Sequence, residues 1–178
     1  MHEAFAAMLA EDGKKNSLGR ANEVIELVLN EPSRLEELYQ TIVSNDDAWV
    51  RMRAVDAFEK ICRSHSDWIQ PYVDRLQKDL SDRTQPSIQW HIAEIYMQVK
   101  LNTNQKKQAL AWLEQRLEST DVDWIVAVNS MKTLAYFAAK GDITNATLRA
   151  LLEVQLNHKS NAVIKRAQKL LDTITSAA

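Results

Sequence analysis

Cys62 and His65 stand three residues apart, a spacing at which two side chains on one helix can touch, and a thiol beside an imidazole is the raw material of a nucleophile. Their surroundings argue for a different use. Cys62 follows Ile61 on the flank of an apolar helical stretch, where cysteine ordinarily serves as a small buried hydrophobe, so an unactivated thiol is expected. The four histidines, His2, His65, His91 and His158, are scattered, and His91 with Glu94 is the one His/carboxylate pair at helical spacing. A metal site needs more ligands than that, and no Cys/His cluster has zinc-site spacing. Asn145-Ala146-Thr147 has the form of a glycosylation acceptor, but nothing in the sequence points to secretion. No enzyme, metal or cofactor is expected from these residues.

Composition narrows the class of protein that could hold them. The chain has 178 residues, 46 % of them hydrophobic, which suffices for one ordinary domain or a short repeat array. Three Gly and three Pro among many Ala, Leu, Glu, Lys and Gln favour helices throughout. Lys plus Arg at 22 against Asp plus Glu at 24 gives a net charge of −2, which offers no overall field to nucleic acid or to an anionic membrane. A single cysteine excludes an internal disulfide. The opening "MHEAFAAMLAEDGKK" lacks a basic leader and its apolar run is short and broken by acids, so a soluble, cytoplasmic protein is expected.

The elements emerge from internal repetition. Val50, Ala54, Ala57, Phe58 and Ile61 define apolar offsets 0, +4, +7, +8 and +11. Steps of about 38 residues reproduce them at Ile88, Ile92, Ile95, Tyr96 and Val99, then at Val126, Ser130, Thr133, Leu134 and Phe137, then at Val163, Ala167, Leu170, Leu171 and Ile174. A second amphipathic run precedes each: Leu35, Leu38 and Ile42; Leu76 and Leu80; Leu110, Leu113 and Leu117; Leu148, Leu151 and Leu152. The unit is therefore a helix pair. Pro32, Pro71 and Pro86 fall near helix starts, Asn45 to Asp47 and Asp121 are positioned to cap, and Gly141 ends a long run. The reading is one all-α domain over 1–178: a degenerate capping pair over 1–30, then repeats over 32–64, 67–100, 103–140 and 143–176, about ten helices in five antiparallel pairs.

"DDAWVRMRAVDAF", with Asp46, Val50-Arg51, Ala54 and Phe58, resembles the second-helix signature of HEAT repeats, and the helix pairs over 32–175 are similar to that family. The resemblance implies a right-handed α-α superhelix in which the Asp and Arg knit neighbouring repeats, while the apolar positions pack between the two helices. Position 51 is followed by Gln89, Ala127 and Ile164, so the charged signature belongs to one repeat.

The same resemblance implies that second helices line a concave surface, and offsets opposite the buried template should form its floor. That stripe includes Met52, Asp56, Glu59, Trp90, Glu94, Met97, Met131, Lys132, Lys165 and Lys169, apolar in its middle and changing from acidic to basic along the chain. Two readings of Trp90, Met97 and Met131 stand open: an exposed groove for a partner's apolar helix or peptide, or packing against neighbouring helices. Of the other tryptophans, Trp68 and Trp112 read as core. The expected role is a non-enzymatic protein–protein interaction module or scaffold. Some HEAT-like proteins are alkylpurine DNA glycosylases, and Trp90 with Asp56 or Glu94 near Lys132, Lys165 and Arg166 has a similar set of residue types. Against that alternative, duplex binding requires a basic surface neutralising several phosphates.

Overall fold

The computed structural model describes residues 3–11, 14 and 17–176, and the regular structure among these residues is entirely helical. His2 and most of the polar "DGKKN" separator lie outside the described residues. The order is α1 (Phe5–Ala10), α2 (Ala21–Asn30), a 3-10 turn (Pro32–Arg34), α3 (Leu35–Ser44), α4 (Ala48–Ser64) and α5 (Ser66–Ile69). It continues with a second 3-10 turn (Gln70–Tyr72), α6 (Val73–Asp79), α7 (Pro86–Gln98), α8 (Thr103–Gln115), α9 (Trp124–Ala139), α10 (Asn145–Gln155) and α11 (Asn161–Ser176). The short α5 and α6 occupy the place of one expected helix. Pro71, which has no N–H to donate, sits in the 3-10 turn that divides them.

Boundary chemistry explains where the helices begin and end. Asp47 caps α4 by accepting from Trp49 N at 2.7 Å, while Asn45 accepts from Asp47 N at 2.9 Å and so orders the approach. Asn102 and Gln105 form a reciprocal capping box on α8. Asp123 rather than Asp121 caps α9, accepting from Ile125 N at 2.9 Å, because the helix starts at Trp124 and needs its acceptor immediately before. At the other end of α9, Gly141 takes φ +78°, and the N–H groups of Gly141 and Asp142 donate to Ala138 and Phe137. That pair of bonds is a Schellman motif, and the left-handed position at its turn favours glycine.

The chain divides into two compact units, residues 1–99 and 100–178, where the periodicity alone reads as one uninterrupted array. In the first unit α4 is the centre, packed against α1, α2, α3 and α7. Its template residues Val50, Ala54, Ala57, Phe58 and Ile61 are all buried, and Phe58 joins Tyr39 and Tyr72 in an aromatic cluster with centroids 5.0 to 5.8 Å apart. Such pairs add about 0.5 to 1.5 kcal/mol each beyond the area they bury. In the second unit α9 holds the corresponding place, packed against α8, α10 and α11. Of the twenty template positions in the four segments, all but Leu170 are buried. Leu110 and Leu151 of the preceding runs are also half-buried, since the outer helices have fewer neighbours to cover them.

Polar side chains tie residues roughly one period apart. In the first unit Tyr39 donates to Asp79 at 3.0 Å, Arg75 to Glu36 at 2.7 and 2.8 Å, Arg83 to Val43 O at 2.8 Å, and Gln98 to Glu59. Arg51 donates to Gln85 at 2.9 Å and to the carbonyls of Asn45 and Asp46, so this one signature arginine joins neighbouring segments. In the second unit Gln155 donates to Leu117 O and Ser119 O at 2.9 and 2.8 Å. His158 accepts from Ser160 N, which leaves its Nε2–H to donate to Val122 O at 2.9 Å. Separations along the chain for these contacts run from 34 to 40.

Arg53, which is 2 % exposed, makes the densest of these ties. Its guanidinium donates to the carbonyls of Leu9 at 2.6 Å, Ser17 at 2.8 Å, Lys14 at 3.2 Å and Glu11 at 3.3 Å. The carbonyls released at the end of α1 thus receive a cation, although no carboxylate is among its partners there.

Ala54 and Arg53 provide contrasting tests. Ala54→Arg overpacks a site with no exposure and buries an unpaired charge, so denaturation should show a loss of about 3 kcal/mol or more. Arg53→Ala should instead act locally. Amide exchange should accelerate through α1 and the segment to Ser17, whose carbonyls lose their donor, before it accelerates in α9.

Candidate functional site

The stripe residues must be taken unit by unit. In the first, Met52 on α4 and Trp90 and Met97 on α7 are half-buried, while Asp56 and Glu94 are each 8 % exposed. In the second, Lys132 on α9 and Lys165 and Lys169 on α11 are exposed, and Met131 is completely buried. Met131 therefore corrects the groove reading at its own position. A helix packed against α8, α10 and α11 has no free apolar floor at that offset.

Asp56 and Glu94 also depart from a solvated acidic stripe. The Asp56 carboxylate takes Lys60 Nζ at 2.8 Å, one helical turn on, and faces His91 Nε2 at 3.6 Å. Burial pushes its carboxyl up, but His91 and Lys60 together hold it below the usual carboxylate range. His91 Nδ1 lies against Ser87 O, and since a carbonyl only accepts, Nδ1 carries a proton. Glu59 is fully buried; Arg63 grips it with two N–H groups at 2.8 and 2.7 Å, and Gln98 donates to it from α7. Asp56 and Glu59 thus belong with His91 and Gln98 to a polar seam between α4 and α7. The Trp90 ring stacks on His91, centroids 3.4 Å apart at 28°, at the margin of that seam.

The residues suggestive of catalysis are placed elsewhere. Cys62 is fully buried, and burial, with Glu59 adding, pushes its thiol up to about 12. The His65 ring packs on Trp68, centroids 4.2 Å apart with the planes tilted by 37°, and its Nδ1 lies beside Ser64 Oγ at 2.9 Å. Among the described residues no group of three or more His, Cys, Asp or Glu is arranged to hold a metal ion, and no helix is long and apolar enough to cross a membrane. Trp112 is buried beneath Arg116, 4.0 Å from its ring centroid, whereas Trp124 is half exposed at the start of α9.

Three features carry no signal in the apolar periodicity. Arg53 and His91 occupy the same template offset, +3, yet one satisfies carbonyls and the other faces a carboxylate. Arg166 stands at that offset on α11, and its buried Nε has no hydrogen-bond partner. An open groove of about 600 Å³ lies along α8 in the second unit, lined by Leu101, Lys107, Leu110, Ala111 and Ile143, with the Lys106–Asp142 ion pair at 2.7 Å beside them. Glu114 also lines it, its carboxyl raised by burial and by Glu118. The groove depends on how α8 meets the loop before α10, which spacing within one helix does not encode.

Comparison with protein-family models, curated proteins and solved structures gives no match for this chain.

The environment of Cys62 has a direct chemical consequence. Iodoacetamide should modify the folded protein slowly at neutral pH and the denatured protein rapidly, with mass spectrometry following the adduct. Fast native modification that disappears in His65→Ala would instead reveal an activated thiol.

Proposed function

We propose that this chain is a non-catalytic helical-repeat interaction module, a HEAT-like α-α solenoid that binds another protein through the part of its second-helix stripe that stays accessible. Support for the repeat comes from the shared apolar template and from the side-chain ties at separations of 34 to 40 residues. Support for binding rather than catalysis comes from where the polar residues are committed. Asp56, Glu59, His91, Gln155 and His158 all hold the chain to itself, and the thiol is buried.

The observation that carries the reading is the partial exposure of Met52, Trp90 and Met97 on α4 and α7. A polarizable, adaptable apolar strip beside a half-exposed indole suits the apolar residues of a partner helix or peptide. In the second unit Lys132, Lys165 and Lys169 supply a separate basic surface, fitted to orient a partner by charge. The partner is a protein, with no membrane or nucleic acid required.

Trp90→Ala separates binding from packing. As a contact residue it should leave helicity nearly unchanged and weaken the captured partner by about 2 kcal/mol or more. As a packing residue it should cost about 3 to 5 kcal/mol in equilibrium denaturation. Circular dichroism, urea titration and a binding isotherm on this variant distinguish the outcomes.

A further inference from the structure

The two units differ sharply in charge. Residues 1–99 carry 17 acidic against 11 basic side chains, and residues 100–178 carry 7 against 11. The first unit ties many acids internally: Glu36 to Arg75, Glu37 to Arg34, Asp56 to Lys60, and Glu59 to Arg63. In the second, α11 concentrates positive charge that the structure does not neutralise. The side chains of Lys165, Arg166 and Lys169 have no hydrogen-bond or ion-pair partner among the described residues.

Arg166 is the informative member. The other described arginines all donate to acceptors: Arg20, Arg34, Arg63 and Arg75 to carboxylates, Arg51, Arg53, Arg83 and Arg116 to carbonyls, Arg149 to a hydroxyl. A guanidinium has five donors and no means of losing its charge, so a buried Nε–H left unmatched is a standing cost that an exposed lysine does not incur. Helical phase sets Lys165, Lys169 and Arg166 along an arc of about 100°. Val163, Ala167, Leu171 and Ile174 point into the core on the other side of α11. Asp172, the one acid on this helix, is held by Gln168 at 2.8 Å.

We propose that this face of α11 docks an acidic segment of a partner protein, with a partner carboxylate completing the Arg166 guanidinium and Lys165 and Lys169 flanking it. The inference rests on the interaction-module reading and specifies the chemistry of its partner. Carboxylate and guanidinium match in a bidentate geometry that a lysine ammonium lacks. A short acidic segment fits better than a nucleic acid. Three cations on one helix neutralise few phosphates, and an acidic first unit in the same chain repels an extended phosphate backbone.

The test uses the full chain, with fluorescence anisotropy of a labelled peptide of Glu, Leu and Ala, a Lys-for-Glu counterpart and a labelled DNA duplex, at low and at physiological salt. The acidic peptide should bind, the Lys peptide should not, and the affinity should fall as salt rises. Arg166→Gln should weaken it about tenfold, and so should the exposed pair Lys165→Glu with Lys169→Glu, with melting temperatures confirming that both variants fold. Equal binding by the charge-reversed pair, no binding of the acidic peptide at low salt, or tighter binding of the duplex overturns the proposal. Capture from native extract with the same variants and Trp90→Ala keeps the two inferences apart. A protein lost with Trp90→Ala but retained by both α11 variants leaves the interaction module standing and removes its acidic partner.

Discussion

Helix ends leave carbonyl oxygens without donors, and this chain, built from many short helices, has many such ends to satisfy. Its recurrent solution is to send a donor from the following segment. Arg53 reaches back to the carbonyls around the end of α1, and Arg83 to Val43 in the last turn of α3. Gln155 and His158 do the same for the segment between α8 and α9. Buried polar groups cost little only when matched, so these bonds set the register between segments while apolar packing supplies most of the driving force.

A consequence follows for chemistry. Side chains that in another protein would make an acid–base pair are here matched to one another or to backbone. Asp56 and Glu59 are gripped by cations one turn away on α4 and reached by His91 and Gln98 from α7. The seam resembles a fastening, and outside it stand the half-buried Met52, Trp90 and Met97 and, in the second unit, the basic arc of α11.

The all-helical character and the buried template were legible because a period of about 3.6 residues marks one face of each helix with little regard to its neighbours. Val50, Ala54, Ala57, Phe58 and Ile61 and, but for Leu170, their counterparts are buried where the spacing places them. The opposite face was less legible, since its exposure depends on how many helices flank it. Met131 shows the difference: it is enclosed, as are Val55 and Ala93 at the same offset, whereas Met52 and Trp90, three positions earlier in the pattern, stay half-exposed. The burial of Asp56 and Glu94 was not legible either, because a partner of a buried carboxylate can lie on another helix, 35 residues away for His91 and Asp56. Asp121 gave way to Asp123 because a cap is decided by one or two residues, finer than amphipathic periodicity resolves.

Arg53 also imposes an order on synthesis. Leu9, whose carbonyl it binds, is separated from it by 44 residues. At a ribosomal rate of about 5 to 20 residues per second, that separation corresponds to a wait of about 2 to 9 s. During this interval α1, only six residues long, is too short to persist alone, and its apolar Phe5, Met8 and Leu9 have no α4 to cover them. Although α1 is made before α4, it is therefore completed only after α4 is available, and the nascent chain passes through a stage in which Phe5, Met8 and Leu9 are clients for whatever shields exposed apolar surface near the tunnel exit.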